Sequence, residues 1–276
     1  MQLGVFAKTF ARNSVEANLD AVRESGFQCT QYNLVCAGLS TLPDNVSPEL
    51  CERIRVAHAE RELRMAAISG TFNIIQHNRE ALAENLCQLV TLAKSCALLG
   101  TNVITLCTGT RDQESMWRKH PDNKTSEAWR DMVASMRRIA EIAEDNEVIV
   151  GIEPEVNNVV DSAEKARRLI DELGSPRVKV VMDAANLFHV GQLDRMHEVL
   201  DEAFDYIGQD IIIAHAKDLS NDGDAGHEAA GTGRLDYDYY VQLLKNRDFD
   251  GPLITHGLTE SQVPRCVEFL RGKLAS

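Results

Sequence analysis

The stretch VIVGIEPEVNNVVDSAEKARRLIDELGSPRVKVVMDAAN, residues 148–186, holds two apolar, β-branched runs with a helical segment between them. The first run, 148–153, ends on Glu153, and the second, 178–183, ends on Asp183. Asp161 followed by Glu164 has the spacing of a capping box, in which each end satisfies a free backbone N–H at a helix start. Strand, helix, strand is the unit of a parallel sheet. The rhythm continues outward on both sides. Upstream, strands are expected at 3–6, 28–33, 64–69 and 102–107; downstream, at 211–215 and 252–255. Asn13 with Glu16 and Thr259 with Gln262 repeat the capping-box spacing, and Ser47-Pro48-Glu49 sets a cap before a first-turn proline. The segment 80–99 carries Leu82, Leu86, Leu89, Val90 and Ala93 at helical spacing, a face for the sheet. Eight such units in 276 residues predict an α/β fold, a closed (β/α)8 TIM barrel, as a single domain over 1–276. The alternative is an open doubly wound sheet, which usually carries a glycine-rich phosphate loop after its first strand. Here the first strand runs into AKTFARN, without a glycine.

Composition narrows the function. Apolar residues make up 44 % of the chain, enough for a large core, and no uncharged apolar run is long enough to span a membrane. The N-terminus shows no secretion signal, and the 7 cysteines are scattered without a CxxC pair, so a cytoplasmic location with reduced thiols is expected. Cys29, Cys87, Cys96, Cys107 and Cys266 sit in apolar stretches and are expected in the core. The net charge of −13 repels a polyanion at long range, which counts against nucleic acid as a partner. Self-association into a homo-oligomer stays open.

In a closed barrel the active site lies at the C-terminal ends of the strands. Strand five ends on Glu153, strand six on Asp183, strand seven on His215 and strand eight on His256. Each taken alone suits a helix cap or a solvated loop. Four consecutive strands ending on metal-capable side chains around one mouth point instead to a mixed oxygen and nitrogen site for one divalent ion.

These residues, with GIEPE, VMDAANLF, AHAKD, GTGRLDY, ISGTFN and LCTGTRD around them, resemble the xylose isomerase-like TIM barrel superfamily, the sugar phosphate isomerase/epimerase group. The resemblance covers nearly the whole chain. It implies a metal-dependent isomerase or epimerase acting on a small sugar or sugar acid. In such enzymes a divalent metal, with Mn2+ expected here and Zn2+, Co2+, Fe2+ or Mg2+ as alternatives, polarises a carbonyl while a protein base removes the neighbouring proton. The resemblance assigns the metal to Glu153, Asp183, His215 and the position of His256, where a glutamate is usual. In the ketose 3-epimerases of the group two metal-bound glutamates work on opposite faces of the substrate carbon. Here only Glu153 is in such a place, so His256 is expected as second acid/base. Glu260, four residues on, reads as first-turn helix charge.

Rival functions remain. A metal-dependent lyase or dehydratase would begin with the same proton abstraction, and a non-catalytic metal-binding barrel would keep the ligands alone. The apurinic endonuclease branch needs a histidine three residues after the strand-six aspartate, where this chain has Asn186. His77, Trp117, Asn186 and Lys217 are the expected contacts to a small carbohydrate substrate, each with a plain structural alternative as a loop or packing residue. Trp117 and His120 lie in a long loop that could cover the site. Gly231-Thr232-Gly233-Arg234 could either cradle a phosphate or form a tight turn. Lys8 is expected at the mouth, and His58, His189 and His197 on helices or their approaches.

Overall fold

The computed structural model describes residues 1–275. Its strands are β1 (Gln2–Phe6), β2 (Cys29–Tyr32), β3 (Arg64–Ser69), β4 (Val103–Cys107), β5 (Ile149–Glu153), β6 (Val178–Asp183), β7 (Ile211–Asp218), β8 (Glu228–Ala229) and β9 (Pro252–Thr255). The α-helices are α1 (Val15–Glu24), α2 (Pro48–Glu60), α3 (Arg79–Leu99), α4 (Ser126–Asp145), α5 (Ala163–Leu173), α6 (Met196–Ile207), α7 (Tyr237–Asn246) and α8 (Val263–Ala275). Strand neighbours run β6-β5-β4-β3-β2-β1-β9-β7, and a further β6–β7 pairing closes the ring. The pairing is parallel throughout the ring; only β8 runs antiparallel, as a short hairpin arm on the end of β7. The fold is therefore the closed (β/α)8 barrel, and the open sheet is excluded by the closure.

The core has two parts. The large one fills the space between barrel and helices, with side chains such as Leu19, Ile54, Leu92, Met136, Leu169, Phe204 and Leu270 turned inward. The small one is the barrel's interior: Cys29, Ala67, Val181, Ile213 and Ile254, on five different strands. The interior is narrow. A Cβ on Gly151 would lie 2.8 Å from Val181 Cγ2, and one on Gly4 would lie 2.5 Å from Ile254 Cδ1. Side chains alternate along a strand, so the residues two positions on from this layer face the axis again, nearer the mouth. That next ring is Phe6, Gln31, Ser69, Thr105, Glu153, Asp183, His215 and His256. β1 to β4 thus give it an aromatic ring and uncharged polar groups, and the other four barrel strands give it every charged or imidazole group.

Several local expectations shift by one residue. The caps of α1 and α5 are Ser14 and Ser162, which accept from the backbone N–H of Ala17 and Lys165, rather than Asn13 and Asp161. The Thr259–Gln262 box forms, and Ser47 caps α2 with Pro48 at its start. Leu89 and Ala93 of α3 are buried, Leu82 and Leu86 half-buried. Cys87 is the exception among the cysteines expected in the core: it is exposed on α3, whereas Cys29, Cys96, Cys107 and Cys266 are buried and Cys51 joins them. All seven are free thiols.

Candidate metal centre

Glu153 ends β5, Asp183 ends β6, His215 lies within β7, and His256 follows β9 by one residue. Asp183 and His215 are direct partners across the β6–β7 pairing. One ligand atom from each of the four residues lies within 4.8 Å of all the others. His215 Nδ1 is 3.6 Å from Glu153 Oε2 and 3.7 Å from Asp183 Oδ2, and it has no hydrogen-bond partner although it is buried. His256 Nε2 lies 3.0 Å from Asp183 Oδ2. An unpartnered imidazole nitrogen aimed between two carboxylates, with a second imidazole beside it, is the donor set of a divalent cation. The four residues could hold one.

The surroundings orient the side chains of the cluster. Asp183 Oδ1 accepts from the backbone N–H of Ala185 at 3.0 Å, which leaves Oδ2 facing the site. Glu153 Oε1 accepts from Asn186 Nδ2 at 2.6 Å, which leaves Oε2 facing His215. Gln31 Nε2 donates to Thr105 Oγ1 at 2.8 Å, so its Oε1 faces His215 Nε2 at 3.0 Å. That amide oxygen can only accept, so Nε2 carries a proton, and Nδ1, turned to the carboxylates, is the nitrogen that would meet a cation.

Burial and charge compete throughout. Burial raises the Asp183 carboxyl, but the charge of Lys217, with His215 close by and a hydrogen bond from His256, holds it well below the usual range. Burial likewise raises Glu153, and the neighbouring charge of His215 more than offsets it. Burial lowers His215, yet the Glu153 and Asp183 carboxylates carry it up to about 9. His256 goes the other way, down to about 4, through burial and the neighbouring charges of His215 and Lys217. Two imidazoles with opposite shifts thus share one pair of carboxylates.

The site opens into a cavity of about 1090 Å³, lined among others by Phe6, Lys8, Gln31, Ser69, Met116, Trp117, Glu155, Lys217 and His227. Trp117 reaches it from the loop after β4, its side chain half exposed and its backbone carbonyl held by Asn157. His120 does not reach it; its Nδ1 accepts from the Asp122 N–H and caps a short turn. Lys217 and Asn186 are buried beside the four residues. His77 is exposed ahead of α3 and is not part of the cavity wall. Glu260 is paired with Arg12 at the surface. The 231–234 turn is filled from within: Asp218 accepts from the backbone N–H groups of Gly231, Leu219 and Leu235, so a carboxylate of the chain itself takes the place a phosphate would need. His58 is buried behind β2, and His197 stacks on Tyr239.

Two wall residues escaped the sequence reading. Gln31 looks like any strand polar residue until its partner, His215, is known. Glu155 had a usable signal, because it follows Glu153 by two positions in an extended segment. Burial, with the charge of Glu153, pushes its carboxyl up to about 8.

No curated protein sequence matches the chain. Among solved structures, a 3-keto-D-glucoside 4-epimerase from E. coli superposes with a TM-score of 0.76 at 16 % identity, over 99 % of each chain. A D-tagatose 3-epimerase-like protein gives 0.77 at 17 % identity, over 100 % of this chain and 97 % of the other. A D-psicose 3-epimerase from Clostridium cellulolyticum H10 gives 0.74 at 14 % identity, over 99 % of each. At such identities these likenesses speak for the fold. A family model described as the xylose isomerase-like TIM barrel matches residues 19–271, and the chain belongs to that family.

Proposed function

We propose that this chain is a divalent-metal-dependent isomerase or epimerase of a small sugar or sugar acid, working by proton abstraction beside a carbonyl. One observation carries the reading. His215 Nδ1 is buried and unpartnered between Glu153 and Asp183, in a cluster of four metal-capable residues of which Glu153 and His256 line a large cavity. The names of the three fold neighbours above, two sugar epimerases and one epimerase-like protein, agree with it. We take the ion to be Mn2+ and the setting to be a reducing one such as the cytoplasm, where the seven free thiols would persist. When bound, the ion would polarise the substrate carbonyl and stabilise negative charge on its oxygen.

The rest falls to the chain. Glu153 takes the proton: one of its oxygens faces the ligand cluster, and the other is held by Asn186. His256 returns a proton on the other face or at the neighbouring carbon. Asp183 and His215 serve as ligands only. Trp117 supplies an apolar wall for the sugar.

The test is incubation in D2O with a panel of ketoses and keto-sugars, with and without added Mn2+. Solvent deuterium in the recovered sugar, dependent on the metal, is the expected result. Net loss of water would move the assignment to a lyase. Metal bound without any exchange or water loss across the panel would leave a binding protein.

A further inference from the structure

Lys217 stands out among the groups around the centre. It lies two residues beyond His215 on β7, and alternation turns both side chains to the same side of the strand. Its stem passes under the turn after β9: a Cβ on Gly257 would meet Lys217 Cγ and Cδ at 3.1 Å. Its Nζ donates to Asn186 Oδ1 at 2.7 Å and lies 3.1 Å from Asp183 Oδ2. An ammonium has three N–H donors. Two protein oxygens are within reach, so one N–H is left over, and the side chain forms part of the cavity wall. Only 6 % of the residue is exposed. A nearly buried ammonium at a cavity wall, with a donor unspent, is placed to give that N–H to an acceptor on a ligand in the cavity.

We propose that Lys217 is a catalytic residue whose free N–H holds the substrate oxygen that gains negative charge as the neighbouring proton leaves. The proposal rests on the proton-abstraction reading and adds a second cationic contact to it. The same ammonium fixes Asn186, which in turn holds Glu153 Oε1. Oxyanion contact and base are thereby set in one rigid chain of three side chains, the kind of preorganisation that lowers a barrier without rearrangement. No proton leaves Lys217 in this role; it acts as a fixed donor throughout.

The test separates charge stabilisation from support of the ligands. Acetohydroxamic acid, which binds a divalent ion as the hydroxamate anion through oxygens on neighbouring atoms, serves as the probe of the enediolate-like state. Its affinity is measured by calorimetry on the Mn2+-titrated protein, and bound Mn2+ is counted by electron paramagnetic resonance. Lys217→Met should keep Mn2+ and lose roughly 10- to 100-fold in hydroxamate affinity, the usual worth of a charge-assisted hydrogen bond. Should Met fail to fold, Lys217→Gln keeps a donor for Asn186, removes the charge, and should lose about tenfold. Unchanged hydroxamate affinity in the folded variant overturns the proposal. So does loss of Mn2+ in parallel with the probe, which would make Lys217 a support for Asp183. The enolising reading is judged separately, by deuterium exchange in the wild type. Its failure there would leave the hydroxamate result standing on its own.

Discussion

In the proposed reaction Glu153 does two things, and its two oxygens have different surroundings. Oε2 faces His215 Nδ1, while Oε1 accepts from the Asn186 amide. A cation at the cluster would keep the carboxylate ionised and also weaken it as a base. It can then work only if the same cation acidifies the substrate C–H. Glu153→Gln keeps the size and one oxygen but removes the base. The variant should retain much of its metal, measured by elemental analysis. It should lose about two to four orders of magnitude in turnover and in exchange of the substrate proton with solvent. Exchange at the wild-type rate would reduce Glu153 to a ligand and send the search for the base to His256 or Glu155. The cluster of Glu153, Asp183, His215 and His256 was legible in the sequence because each closes an apolar strand, so position along the chain is enough to bring the four together. Their supports were not legible in the same way. The contact between Gln31 and His215 spans 184 positions, and nothing local in either segment announces it.

At the scale of elements, apolar runs placed seven of the eight barrel strands to within a residue at each end and the start of the eighth, while ends depended on contacts the runs do not encode. β7 continues past His215 to Asp218 because Lys217 and Asp218 pair with Ala229 and Glu228 of β8. The serine caps displaced their neighbours because a serine one position later also reaches the first-turn N–H groups. The packing of α2 on β2 carries a pH dependence of its own. His58 is 3 % exposed; its Nδ1 donates to the Ile54 carbonyl at 2.8 Å, and its Nε2, 3.0 Å from Thr30 Oγ1, accepts from that hydroxyl. Burial lowers its pKa from 6.5 to about 4. The unfolded chain therefore takes up this proton first as pH falls. Stability from this group is complete above pH 6.5 and is lost progressively down to about pH 4, a drop of roughly 3 kcal/mol at most. His58→Leu should unfold more easily at neutral pH, because Thr30 loses its partner, and should show a flatter decline between those two values. Urea unfolding of both proteins across that range measures this, and equal slopes would sink it.

The whole barrel couples its closure to the site. In the ring the ligand-bearing strands are consecutive, β5, β6, β7 and β9, and the β6–β7 pairing that seals the ring sets Asp183 opposite His215. This closure was not visible in the sequence; it was inferred from eight units and a missing glycine loop, and only strand pairing decides it. A cation at the centre would tie residues 153 to 256 together in the folded chain alone, since no preformed site exists in the unfolded one. At a hundredfold excess over its dissociation constant it should add about 2.7 kcal/mol. For a chain of this size that corresponds to a rise in Tm on the order of 5–10 °C. Asp183→Ala should behave differently in two respects. Without metal it should melt earlier than the wild type, because Lys217 and His215 lose the carboxylate that balances their buried charge, a loss of roughly 3–5 kcal/mol. With metal it should show little further rise. His215→Ala removes a ligand and one buried charge together, so its metal-free Tm should fall less while its metal-dependent rise also disappears. The two variants thus separate the electrostatic work of Asp183 from its work as a ligand. A full metal-dependent rise in Tm in both, with full metal occupancy by elemental analysis, would show that the ion binds elsewhere.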